Sequence, residues 1–176
     1  MCCCAKTWPG DTIESTPPSC LMKVDSHKAF DSVHWEFIKE LLSALKFPSL
    51  FIQWVMKYIS SVKFAICING QEGDFFKGKR ELKQGDPLSP LLFILTMEYL
   101  SKLFKLASLQ KEFAFYPHYK KLGLTHLIFA DDLVLFCKAH PQSLQILMKT
   151  FQSFTQCTGL KANMEKSIIV FGGGEL

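Results

Sequence analysis

Apolar positions along this chain recur with two different periods, and the switches between them mark out most of its elements. The short apolar runs "CLMKV" (20–24), "THLIF" (125–129), "LVLFC" (133–137) and "SIIVF" (167–171) read as strands. "HWEFIKELLSALKF" (34–47) instead sets Trp35, Ile38, Leu41, Leu42 and Leu45 on one helical face, with Glu36, Lys39, Glu40 and Lys46 mostly opposite, and Pro48 stops it. "SLFIQWVMKYI" (49–59) predicts a second helix. "VKFAICING" (62–70) alternates, with Val62, Phe64, Ile66 and Ile68 on one side, and Asn69-Gly70 signals a hairpin turn before "DFFKGKREL".

"SPLLFILTMEYLSKLFKLASL" (89–109) predicts a long helix, with Ser89 as N-cap and Pro90 in the first turn, where a missing N–H costs nothing. "QSLQILMKTFQSFTQCTG" (142–159) gives another through Leu144, Leu147, Phe151 and Phe154, closed by Gly159. The order strand, helices, strands, helix, hairpin, helix, strand describes an α+β domain with helices on one face of an antiparallel sheet. "TWPGDTIESTPPSC" (7–20) has neither apolar period and is rich in Pro, Ser and Thr. Residues 1–20 therefore read as a poorly ordered leader, and residues 21–176 as one domain.

Composition narrows the class without naming a function. With 48% hydrophobic and 20% charged residues, 176 residues suit one globular domain with a sizeable core. A net charge of +4 is compatible with a polyanionic partner but too small to demand one. The seven Cys form no C-x-x-C pair and no metal-finger spacing, which predicts reduced thiols in an intracellular protein, with Cys67 and Cys137 acting as small hydrophobes. The longest oily stretch, "PLLFIL" (90–95), is far short of the ~20 residues that span a bilayer.

"FADDL" (129–133) is the chemical anomaly. Two Asp side chains about 4 Å apart repel by roughly 4 kcal/mol at an effective dielectric near 20, and the oily strands around Asp131 and Asp132 do nothing to relieve it. A lone Asp-Asp turn is more often a solvated hairpin tip. A divalent cation held by hard oxygen ligands supplies the compensation, and a third carboxylate is then expected nearby. Asp25 is the best candidate, because it too ends an apolar run.

Four stretches change the weight of these observations. "KVDSHKAFDSV" (23–33), "LKQGDPLSPLLF" (82–93), "HLIFADDLVLF" (126–136) and "GLKANMEKS" (159–167) resemble four successive motifs of the reverse transcriptase palm, in the family's order. The resemblance is strongest to the non-LTR, LINE-type retrotransposon branch, plant copies in particular, and covers about residues 21–171. It implies a polymerase palm, a ferredoxin-like antiparallel sheet with helices packed on one face. Neither a fingers region nor a thumb is expected within this chain.

Carried over position by position, the resemblance makes Asp25, Asp131 and Asp132 the catalytic aspartates. They are the metal ligands for two Mg²⁺ or Mn²⁺ ions, with the backbone carbonyl of Ser26 as a secondary ligand. Phe30 matches the aromatic residue that crowds the sugar 2′ position; periodicity alone would make it a core aromatic. Asp31 takes only a structural role. Gln84, Gly85 and Asp86 match the loop that touches the incoming nucleotide and the template, where Gly permits close backbone approach and Pro87 stiffens the turn. Lys166 matches the residue that protonates or neutralises leaving pyrophosphate, with Lys161 as its rival. The implied function is RNA-directed DNA polymerisation on an RNA template with a DNA primer and dNTP, beside other parts of the element's polyprotein and without a membrane. The alternatives are an inactive remnant with at most weak nucleic-acid binding, and, by fold analogy only, a different two-metal phosphotransferase.

Overall fold

The computed structural model describes residues 5–6, 18–27, 29–61, 63–78, 80, 82–83, 85–130 and 132–172. Its elements run β1 (Ala5–Lys6), β2 (Ser19–His27), α1 (Ala29–Ser32), α2 (Trp35–Ala44), α3 (Ser49–Ser60), β3 (Lys63–Phe64), β4 (Cys67–Ile68), β5 (Gln71–Glu72), β6 (Phe76–Lys77) and α4 (Ser89–Ala107). A 3₁₀ helix (Pro117–Leu122), β7 (His126–Phe129), β8 (Asp132–Lys138), α5 (Pro141–Thr158) and β9 (Lys161–Gly172) follow. The chain divides into two compact units, one of Met1–His27, Met97–Gln156 and Leu160–Leu176, the other of Lys28–Thr96 with Cys157–Gly159.

The first unit is built on a five-stranded sheet in the order β1-β9-β2-β8-β7. Every neighbouring pair is antiparallel except β1 with β9. Side chains on a strand alternate between faces, and both central strands sort accordingly. Cys20, Met22 and Val24 of β2 and Leu133, Leu135 and Cys137 of β8 are buried on one face. Helix α4 lies on that face, since His126 of β7 bonds through Nε2 to Ser101 Oγ at 3.0 Å and meets the Phe104 ring at a tilt, centroids 5.2 Å apart. Helix α5 adds Leu147, Phe151 and Phe154, and Tyr99 meets Phe154 with ring centroids 6.3 Å apart. The mixed α+β architecture predicted from the periodicities is the one observed.

Several expectations need correction. Strand β2 does not end at Asp25 but runs on to His27, because β9 continues to pair with it at Ser26 and His27 after the β8 ladder stops at Asp25. The last strand begins at Lys161, not Ser167. The alternating "VKFAICING" run breaks into two-residue strands, β3 and β4, which are too short to lay a face on a core. Ile66 and Ile68 are exposed there, and so is Cys67. On α2, Phe37 joins Ile38 and Leu42 in the core, while Leu45 falls just past the end of the helix and is exposed. The Asn69-Gly70 turn is present, with both residues at positive φ, as a two-residue hairpin requires. Within residues 1–20, β1 pairs with Ile169 and Val170, Ser19 and Cys20 already belong to β2, and residues 1–4 and 7–17 lie outside the described residues.

Cys20 and Cys137 face each other directly across β2 and β8, both 1% exposed. The hydrogen bond to Cys20, reinforced by burial, pushes the Cys137 thiol above its ordinary range, so it stays protonated.

In the second unit, α1 gives the 30–32 segment one helical turn, and the Phe30 carbonyl accepts the Leu82 N–H at 2.8 Å. Gly159 closes α5 at φ +81. A Cβ there would lie 2.6 Å from the Ser32 carbonyl oxygen and would also collide with the His34 ring. The backbone beside it is fixed as well, by the His34 N–H donated to the Thr158 carbonyl at 2.8 Å.

Gly159→Ala therefore meets both a forbidden φ and an immovable backbone oxygen, and should cost about 2–4 kcal/mol in chemical denaturation. A second outcome follows from His126. Burial holds its pKa below the usual histidine value, only partly offset by Glu98. Because the unfolded chain takes up the proton first, stability should fall as pH drops below about 6.5, and His126→Gln should flatten that slope when denaturation midpoints are compared between pH 7 and pH 5.

Candidate active site

The face of the sheet opposite α4 carries the polar residues. Lys23 and Asp25 of β2 and Asp132 and Val134 of β8 are half-buried there. Register pairs Asp25 with Asp132 across the β2–β8 ladder, so both carboxylates rise from the same face. Directly opposed residues of antiparallel strands hold their Cβ atoms roughly 4.5–5.5 Å apart, and like charges in that position are destabilising. Asp132 is thus not at the hairpin tip. It opens β8 opposite Phe129, and a two-residue turn joins the strands.

That turn has a specific backbone demand. Ala130 sits at φ +54, the left-handed region a two-residue hairpin uses to match strand twist and one an Ala side chain tolerates at a cost. Asp131 lies outside the described residues.

A cation answers the acid pair from within the sheet. Lys23 shares the face of Asp25 by strand alternation, and its Nζ reaches diagonally to Asp132 Oδ2 at 3.0 Å. The sequence held the signal, a lone charge in "CLMKV" two residues before an acid, but only the β2–β8 register shows which carboxylate it meets.

On its other side β2 meets an irregular partner. β9 pairs Lys23 with Ile168 and Asp25 with Asn163, so two steps along β2 correspond to five along β9. The extra residues form a bulge that carries exposed Lys166. Ser167 closes it: its hydroxyl accepts the Asp25 N–H at 3.4 Å and donates to the Asn163 carbonyl at 2.7 Å. Ser167 and Asn163 thereby fix the backbone of Asp25, a role that sequence patterning did not disclose.

Hydrophobic side chains flank the acids. Leu127 and Phe129 of β7 lie on the acid face by register, with Phe129 84% exposed. At the far end of β8, Tyr116 and Tyr119 pack edge-on against Phe136, with centroids 6.0 and 5.7 Å away, and cover it. The 3₁₀ segment thus shields one end of the face and leaves the acid end open.

Phe30, Gly85 and Asp86 belong to the second unit. Phe30 stacks on Phe93 of α4, centroids 4.6 Å apart, which fixes its ring plane. Gly85 takes φ +85, a conformation its neighbours could not share cheaply. Asp86 is engaged locally: Oδ1 accepts the Leu88 N–H at 2.8 Å, its carbonyl accepts the Ser89 N–H at 3.3 Å, and its carboxylate accepts the Tyr58 hydroxyl, which raises the Tyr58 pKa. Asp86 therefore organises the start of α4, as an N-cap acid does. Gln84 lies outside the described residues.

Asp25 and Asp132 supply hard carboxylate oxygens, the donor type that suits Mg²⁺ or Mn²⁺, and the Ser26 backbone adjoins them in β2. Among the described residues no three His, Cys, Asp or Glu side chains gather as a ligand group.

A family model described as reverse transcriptase (RNA-dependent DNA polymerase) matches residues 9–172. The chain belongs to the reverse transcriptase family. Among its relatives is the Pol polyprotein of the Drosophila melanogaster retrotransposable element R2DM. The two are 35% identical over 153 residues, which cover 85% of this chain and 13% of that protein. An uncharacterized mitochondrial protein of Arabidopsis thaliana is 42% identical over 66 residues, 37% of this chain and 54% of that one. The non-LTR affinity read from the motifs is borne out. In fold, this reverse transcriptase domain matches apo telomerase from Candida tropicalis, truncated from its C-terminal domain. The TM-score is 0.66 at 20% identity, over 92% of this chain and 32% of that one. This reverse transcriptase chain thus spans a small part of the length of its polyprotein relatives. No helix among the described residues is long and apolar enough to cross a membrane.

Because the turn depends on a left-handed residue, Ala130→Val should destabilise the first unit by roughly 1–2 kcal/mol, measured as a shift of the denaturation midpoint at unchanged slope.

Proposed function

We propose that this domain is the catalytic palm of an RNA-directed DNA polymerase, joining a deoxynucleoside triphosphate to a primer 3′-hydroxyl along an RNA template. The observation that carries this reading is the cross-strand pairing of Asp25 with Asp132 on the open face of the sheet. Two like charges set opposite each other are a poor structural device and a good cation site.

Asp25, Asp132 and Asp131 are the ligands in this reading, with the Ser26 carbonyl beside them. Two divalent ions, Mg²⁺ or Mn²⁺, supply charge neutralisation and a more acidic attacking hydroxyl when bound. The chain's own residues bind and orient. Gln84 and Gly85 border the incoming nucleotide and template, and Asp86 braces their loop through Leu88 and Tyr58. The Phe30 ring, held by Phe93, crowds the sugar 2′ position and favours deoxynucleotides. The primer oxygen attacks the α-phosphorus as the bond to pyrophosphate breaks, and Lys166 on the β9 bulge neutralises or protonates that leaving group. Positioning and fixed charge do most of this work, because the transition state gathers negative charge on oxygen. Other parts of the element's polyprotein complete the duplex grip.

Primer extension on an RNA template tests the reading. The wild-type chain should extend the primer in a divalent-dependent manner, and Asp132→Asn should lower the rate by about 10²-fold or more. Equal extension by both proteins would remove the polymerase assignment.

A further inference from the structure

Lys23 stands apart from the motif residues, yet it makes the one ion pair found among the described residues. Its partner is a carboxylate assigned above to cation binding, so this inference rests on that reading of Asp25 and Asp132. We infer that Lys23 is a built-in counter-ion: it neutralises the acid pair in the cation-free protein and competes with the incoming divalent ion for Asp132.

The placement is dictated by the sheet. Asp25 and Asp132 are directly opposed, and Lys23 lies two residues from Asp25 on the same face, diagonal to Asp132. A diagonal neighbour in an antiparallel pair is within reach of a long side chain, and the Nζ to Oδ2 distance of 3.0 Å shows that the reach is used. The ammonium occupies an oxygen that a cation needs. Across from Lys23, β9 offers Ile168, which carries no charge to draw the ammonium away.

Exposure makes this a competition and not a lock. The Lys23 and Asp132 side chains are 45% and 40% exposed, so water screens the pair and its strength is that of a surface ion pair. A divalent ion held by Asp25 and Asp132 would displace it. Once displaced, the ammonium remains tethered on the acid face, so Lys23 is a positioning residue that sets the cation concentration at which the acids are vacated. Lysine suits this use, since its ammonium is a compact, rotatable charge on a flexible stem.

Two measurements, neither of them polymerase activity, decide the matter on the full chain. Thermal unfolding in chelator should show Lys23→Met lowering the midpoint in the wild-type background but having little effect in an Asp132→Asn background, with Lys23→Arg close to wild type. Mn²⁺ binding, followed by electron paramagnetic resonance of the free ion, should be about two- to fivefold tighter in Lys23→Met than in wild type, the size expected for loss of one competing surface ion pair. If Lys23→Met binds Mn²⁺ no more tightly while Asp132→Asn still weakens binding, the counter-ion role is wrong and the cation site stands. If Asp132→Asn leaves Mn²⁺ binding unchanged, the cation site itself is wrong and the competition with it.

Discussion

The repulsion between Asp25 and Asp132 is the constraint around which the first unit is arranged. Opposed carboxylates about 5 Å apart cost between roughly 1 kcal/mol in water and 3 kcal/mol at an effective dielectric of 20. That is a sizeable fraction of the net stability of a small domain. The fold meets this cost with central placement: β2 is hydrogen-bonded along both edges, and its inner face is buried against α4 and α5. A strand held so firmly can present an unfavourable charge pair without letting it relax away. Lys23 removes part of the residual repulsion at short range.

The same logic separates the roles of rigid and adaptable parts. Asp25 and Asp132 sit on strands, where register fixes their separation, whereas Lys166 rides on a bulge and Asp86 on a loop braced by its own hydrogen bonds. Chemistry that demands fixed spacing belongs on the ladder. In the polymerase reading proposed above, residues that approach a ligand from outside gain from irregular backbone, and the irregularities here are each tied down by a named contact: Ser167 for the bulge, Tyr58 and Leu88 for the loop.

Much of this was legible in the sequence, and the parts that were not share a cause. Period-two and period-3.6 patterns reveal which way a residue faces, and they located β2, β7, β8, α4 and α5 and assigned Asp25 to the apolar strand. They do not reveal register. Hence the opposition of Asp25 to Asp132, the diagonal reach of Lys23 and the Asn163 to Ile168 bulge could be seen only in the fold. Alternation also misled at Ile66 and Ile68, because it measures capacity for burial and not the presence of a second layer to bury against. Asp86 shows a third limit. A motif names the residue, while its Leu88 and Tyr58 partners show that the carboxylate also has a structural task.

The bulge in β9 has a further consequence for the phase of the strands. In a regular strand, gaining or losing one residue turns every later side chain to the wrong face, which on β2 or β8 would drive aspartates into the core. Between Asn163 and Ile168 the ladder already tolerates three surplus residues, and Ser167 closes the gap by bonding to backbone atoms whatever side chains lie between. The bulge absorbs its surplus residues between two paired positions, so the strand on either side of it keeps its facing and the acid-bearing strands keep their phase.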